Sequence, residues 1–84
     1  MNGFAELYPT VAAIVENGVG LQVNGGGYDL QIAALYEESR MICQFLCDGM
    51  SAGGIFEKLE KLAVRHEEEG IATDDVNGTE YSVG

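Results

Sequence analysis

YDLQIAALYEESRMICQFLC, running from Tyr28 to Cys47, is the stretch whose reading decides the fold. Two periodicities pass through it. At helical spacing, Tyr28, Ile32, Leu35, Ile42 and Leu46 form one stripe, with Asp29, Glu37, Arg40, Gln44 and Asp48 opposite. At strand spacing, Tyr28, Leu30 and Ile32 alternate, as do Met41, Cys43, Phe45 and Cys47, and Glu37-Glu38-Ser39 supplies a reversal between them. The strand reading is preferred. It extends an upstream hairpin into a meander and gives a C-terminal helix a sheet to cover, which two strands alone would do poorly. The helical reading leaves a β-hairpin followed by two helices as the alternative.

Upstream, Val11 to Val15 and Val19 to Val23 are two short β-prone runs joined by Glu16-Asn17-Gly18. Asn-Gly between apolar runs is a strong hairpin signal, so an N-terminal hairpin is expected here. Asn24 to Gly27 reads as a second turn.

Downstream, Ser51 is an N-cap candidate, and the Gly53-Gly54 pair is expected to delay the helix start by a turn. Ile55, Phe56, Leu59, Leu62 and Ala63 make the apolar face of a helix that reaches Glu69, and Gly70 suits the position just past its end. Residues 71–84 read as an acidic tail, either flexible or adding a short edge strand through Thr79, Tyr81 and Val83. The expected class is therefore α+β: a small antiparallel meander, begun by the N-terminal hairpin, packed by one C-terminal amphipathic helix.

The chain has 84 residues, enough for one domain (1–84) with a modest core. Its outlying property is charge: 14 Asp and Glu against 4 Lys and Arg, a formal net charge of -10. That imbalance repels phosphates and anionic headgroups, so direct nucleic-acid or membrane binding is disfavoured and a partner with a basic surface is favoured. The first basic side chain is Arg40 and the apolar runs are short, so no secretory signal or membrane span is read, and a cytoplasmic location is expected.

The motifs for catalysis and cofactors are each incomplete. Gly18-Val19-Gly20 lacks the third glycine of a dinucleotide loop. Asp75-Val76-Asn77-Gly78 lacks the first acidic ligand and the closing Glu of a calcium loop. Cys43 and Cys47 supply two thiols, and His66 is the single imidazole, too few for a tetrahedral zinc site. The cysteines read as reduced core residues. No enzyme activity, cofactor or metal is expected.

What remains is electrostatic. Glu67, Glu68, Glu69, Asp74, Asp75 and Glu80 stand with no Lys or Arg among residues 67–84, and Glu37 with Glu38 forms a second pair. Glu67 to Glu69 also sit at the helix C-terminus, where the dipole favours cations, a locally costly choice. Carboxylates spread over a surface compete with nucleic acid for a basic groove. In size, charge and α+β layout the chain resembles the small acidic inhibitors of phages, including anti-CRISPR proteins and DNA mimics. The resemblance implies an inhibitor or regulator that docks these eight acids on a basic, nucleic-acid-binding protein, with Tyr36 or Tyr81 as apolar anchors. A second class of function stays open: a structural protein that self-associates into a symmetric homodimer.

Overall fold

The computed structural model describes residues 3–18, 20–26 and 30–82, the side chains of 24–26 excepted. Eight elements follow one another: α1 (Gly3–Leu7), α2 (Pro9–Glu16), β1 (Leu21–Gly26), β2 (Leu30–Glu37), β3 (Arg40–Leu46), α3 (Ala52–Glu69), β4 (Ile71–Asp74) and β5 (Thr79–Ser82). The class is α+β. The five strands form one sheet in chain order, antiparallel throughout except where β3 pairs with β4 in parallel.

The stretch from Tyr28 to Cys47 is two strands, as its alternation predicts, with the reversal at Glu38-Ser39. Ala33 lies opposite Phe45 and Leu35 opposite Cys43, and all four are buried under the helices. A bulge after Leu35 leaves Ile42 without a partner in the register. The meander is thus β1-β2-β3, and the hairpin-plus-two-helices alternative does not hold. Tyr28 and Asp29 lie outside the described residues.

The expected N-terminal hairpin is corrected. Val11 to Val15 is helical, inside α2, and does not pair with the run ending at Val23. Val19 lies outside the described residues, and β1 starts at Leu21. The reasons are local and tertiary. Pro9 sits in the first turn of α2, where its missing N–H costs nothing. Val11 and Ile14, three apart, point together into the core. Asn17 donates its N–H to the carbonyls of Ala13 and Ile14, closing the helix where a hairpin turn was expected. The second expected turn also moves: β1 runs on through Asn24, Gly25 and Gly26, each opposite a β2 residue.

α3 forms as its pattern predicts. Ser51 accepts the Gly54 N–H at 3.1 Å, and Gly70 takes the left-handed conformation (φ 69°) that terminates the helix. The glycine pair does not delay the start, because this cap already holds the first turn. The residues after α3 return into the sheet as the β4-β5 hairpin, turned at Asn77-Gly78. Val83 lies outside the described residues.

All helices cover one face. Val11, Ile14, Ile55, Leu59, Leu62 and Ala63 meet Ala33, Leu35, Cys43 and Phe45, while Phe4, Tyr8 and Phe56 form an aromatic cluster at the margin. Extents of 36 × 33 × 19 Å are those of one helical layer on one sheet. Among the described residues no helix lies over the opposite face of the sheet. Among the described residues no helix is long and apolar enough to cross a membrane.

Candidate interaction surface

The parallel pairing of β3 and β4 decides where the acids gather. β2 ends and β3 begins at the Glu38-Ser39 turn, so Glu37, Glu38 and Arg40 mark one end of the sheet. β4 runs parallel to β3 and starts at that same end, two residues after α3 finishes at Glu69. Glu67, Glu68 and Glu69 therefore lie at the end of the molecule that holds Glu37 and Glu38, and all but Glu37 are exposed. The C-terminus of α2 comes there too: a side chain at Gly18 would stand 3.8 Å from the Glu38 nitrogen, which places exposed Glu16 nearby. Glu38 holds φ at 58°, a left-handed conformation that side chains with a Cβ seldom adopt.

The other three expected acids are engaged inside the fold. Asp74 is 7% exposed and caps its own turn, accepting from the Asn77 backbone at 3.0 Å and the Asn77 amide at 2.9 Å. Burial pushes its carboxyl pKa up. Hydrogen bonds from Asn77, Gln44 and the Val76 backbone outweigh that and hold it below the ordinary carboxylate value. Asp75 pairs with Lys58 at 3.3 Å. Glu80 receives both terminal nitrogens of Arg65, at 2.8 and 2.9 Å, and this fork holds the Glu80 carboxyl below its usual range. Asp74 and Asp75 also sit farther along the sheet from Glu67 to Glu69, level with Gln44 on β3, because β4 runs away from the helix terminus.

Internal pairing thus uses two of the four cations, Lys58 and Arg65, on acids elsewhere. Arg65 also touches Glu69, at 3.7 Å.

The groups weighed for chemistry are occupied otherwise. Cys43 and Cys47 are buried and unpaired, and burial pushes the Cys43 thiol up to about 12. His66 turns Nδ1 toward the Ile71 carbonyl at 3.3 Å. Among the described residues no three His, Cys, Asp or Glu side chains gather as a metal site.

The sequence reading missed the uncovered face of the sheet. The strand residues that point away from the helices are Gln22 on β1, Leu30, Ile32, Ala34 and Tyr36 on β2, Met41, Gln44 and Leu46 on β3, and Ala72, Asp74, Thr79 and Tyr81 on β4 and β5. Leu46 and Tyr81 are each 44% exposed. Tyr81 directs its hydroxyl across Ala72 toward the Met41 sulfur at 4.0 Å. Tyr36 and Tyr81, expected as anchors beside the acids, share this face with each other. Comparison with family models, with curated proteins and with solved structures finds no match to this chain, so its functional reading rests on these two surfaces.

Proposed function

We propose that this chain is a non-enzymatic binding protein that docks an acidic end on a basic protein surface, and that its partner is a nucleic-acid-binding protein it inhibits in the cytoplasm. The observation that supports this reading is the convergence of Glu16, Glu37, Glu38, Glu67, Glu68 and Glu69 at one end of the fold. Three separate segments contribute, with Arg40 placed among them and Arg65 3.7 Å from Glu69. With a net charge of -10 behind it, such an end draws in a basic partner by long-range attraction and competes with phosphates for the same groove. Phage inhibitors of the anti-CRISPR and DNA-mimic kind, which the chain resembles in size and charge, work by that chemistry.

The reading narrows the acids that carry it. Asp74, Asp75 and Glu80 are bound up with Asn77, Lys58 and Arg65, so the docking role falls on Glu37, Glu38 and Glu67 to Glu69. The test is capture of basic proteins from host lysate at low and high salt, with Glu67→Lys/Glu68→Lys/Glu69→Lys as the variant. A complex that forms at low salt, dissociates at high salt and weakens at least tenfold in the variant is expected. Binding indifferent to both changes overturns the reading.

A further inference from the structure

The uncovered face of the sheet stands apart from the rest of the molecule in its charge. Eighteen residues of this chain are Asp, Glu, Lys or Arg. Among the described strand residues of that face only Asp74 is an Asp, Glu, Lys or Arg, and it is buried and tied to Asn77 and Gln44. What the face offers to solvent is Leu30, Ile32, Tyr36, Leu46, Thr79 and Tyr81, with Gln22 at its edge. A strand whose outer positions faced only water would alternate apolar with charged residues; β2 puts Ile32, Ala34 and Tyr36 there instead.

We infer that this face is the seat of a second copy of the same chain, packed sheet against sheet about a two-fold axis. Three observations select that occupant. First, a partner chosen by charge has nothing to read here: a basic protein is drawn to the acidic end, and phosphates or anionic lipids are repelled by the whole chain. Second, the face is complementary to itself. A two-fold contact sets each patch against its own copy, so a charged patch would oppose like charges. The Gln22 amide and the Tyr36 and Tyr81 hydroxyls each donate and accept, so any of them can pair with whichever of the others the two-fold sets against it. Third, the area suffices. Five strands about 4.8 Å apart and about 20 Å long present roughly 500 Å² in flat projection. Two such faces, fully covered, bury about 1,000 Å², the lower bound for a specific interface.

The arrangement carries a salt signature of its own. Each copy bears -10, so the two repel at long range, and screening that repulsion favours the dimer. The Debye length falls from about 10 Å at 0.1 M salt to about 3 Å at 1 M. Dimerisation strengthens severalfold over that range, whereas the complex proposed for the acidic end weakens. The two proposals are therefore separable: this one needs no partner.

The experiment is sedimentation of the full 84-residue chain from micromolar to about 1 mM at both salts, a span that brackets weak to moderate association. A species of twice the monomer mass that gains population with concentration and with salt is expected. Leu46→Lys sets a charge on the face at a side chain 44% exposed and is expected to weaken the dimer at least tenfold. Should that variant lose its circular dichroism, Gln22→Lys at the exposed edge of the face makes the same test. Leu7→Lys, on the helical side and 67% exposed, leaves the dimer intact. A monomer at every concentration, a dimer that weakens with salt, or one indifferent to a folded Leu46→Lys or Gln22→Lys variant overturns the inference, the last pointing to pairing through a strand edge.

Discussion

The Glu60 carboxylate caps a helix far away in the chain: it accepts the Val11 N–H at 2.9 Å, across a separation of 49 residues. It also takes the Thr10 N–H at 3.0 Å, while the α2 N-cap residue, Tyr8, makes no side-chain cap. A carboxylate at this site meets orphan amides and the positive end of the helix dipole together. Glu60→Ala is expected to cost about 1–2 kcal/mol in equilibrium unfolding, with Glu60→Gln intermediate. Faster amide exchange should concentrate in α2. A Glu60→Ala protein as stable as the parent would refute the capping role.

Acid should unfold the protein through two named carboxyls. The native pKa values of Asp74 and Glu80 lie below the ordinary 3.8 and 4.5. A depressed native pKa contributes stability that is whole above the ordinary value and is lost as pH falls through the native one. Urea midpoints measured downward from neutral pH should therefore drop below about pH 4.5. The drop should be shallower in Asp74→Asn/Glu80→Gln, a variant already less stable at pH 7. An identical acid limb in parent and variant would place the titration elsewhere.

Glu38 sits in a conformation that costs a residue with a Cβ about 1 kcal/mol or more. Glycine relieves that cost and adds freedom to the unfolded chain, so Glu38→Gly should raise stability by up to about 1 kcal/mol. The same change removes an acid from the proposed docking end. Calorimetry and partner capture on one variant should move in opposite directions: a higher Tm with weaker binding. A lower Tm would show that the turn depends on the glutamate side chain.

The thiols should be silent until the fold opens. Cys43 is fully buried and its thiol is pushed up to about 12, chiefly by burial, with the Leu35 backbone pulling partly the other way. Burial likewise raises Cys47. A thiol reagent at pH 8 should label neither in the native chain and both in denaturant, since thiolate is the reactive form. Rapid native labelling of one thiol would contradict the packing under α3.

Much of this was legible in the sequence, and the remainder was hidden for identifiable reasons. Alternation in Cys43, Phe45 and Cys47 marked β3, although the bulge at Ile42 turns Met41 to the opposite face from them, and Ser51 with Gly70 bracketed α3. Val11 to Val15 was misleading because a five-residue apolar run has no decisive period. What holds it as a helix is Glu60, which no local window contains. The acids followed the same division. Glu67 to Glu69 and Glu37 with Glu38 could be picked out as clusters, but their meeting depends on β3 pairing with β4 across an intervening helix. Asp74, Asp75 and Glu80 looked equally free, and only the packed chain sets Lys58 and Arg65 on α3 against Asp75 and Glu80. The uncharged face of the sheet could be read only once the register was known.

α3 also acts as a ruler. Its 18 residues span about 27 Å. β3, with 7 residues, is roughly 23 Å long. The helix therefore returns the chain along one length of the sheet, and delivers Glu67 to Glu69 beside a turn laid down thirty residues earlier. Inserting a single residue into its second half would swing that triplet about 100° around the axis while leaving every acid in place. The negative end of this molecule is thus specified by a helix's residue count as much as by its glutamates, and two chains of identical composition can differ in whether they possess it.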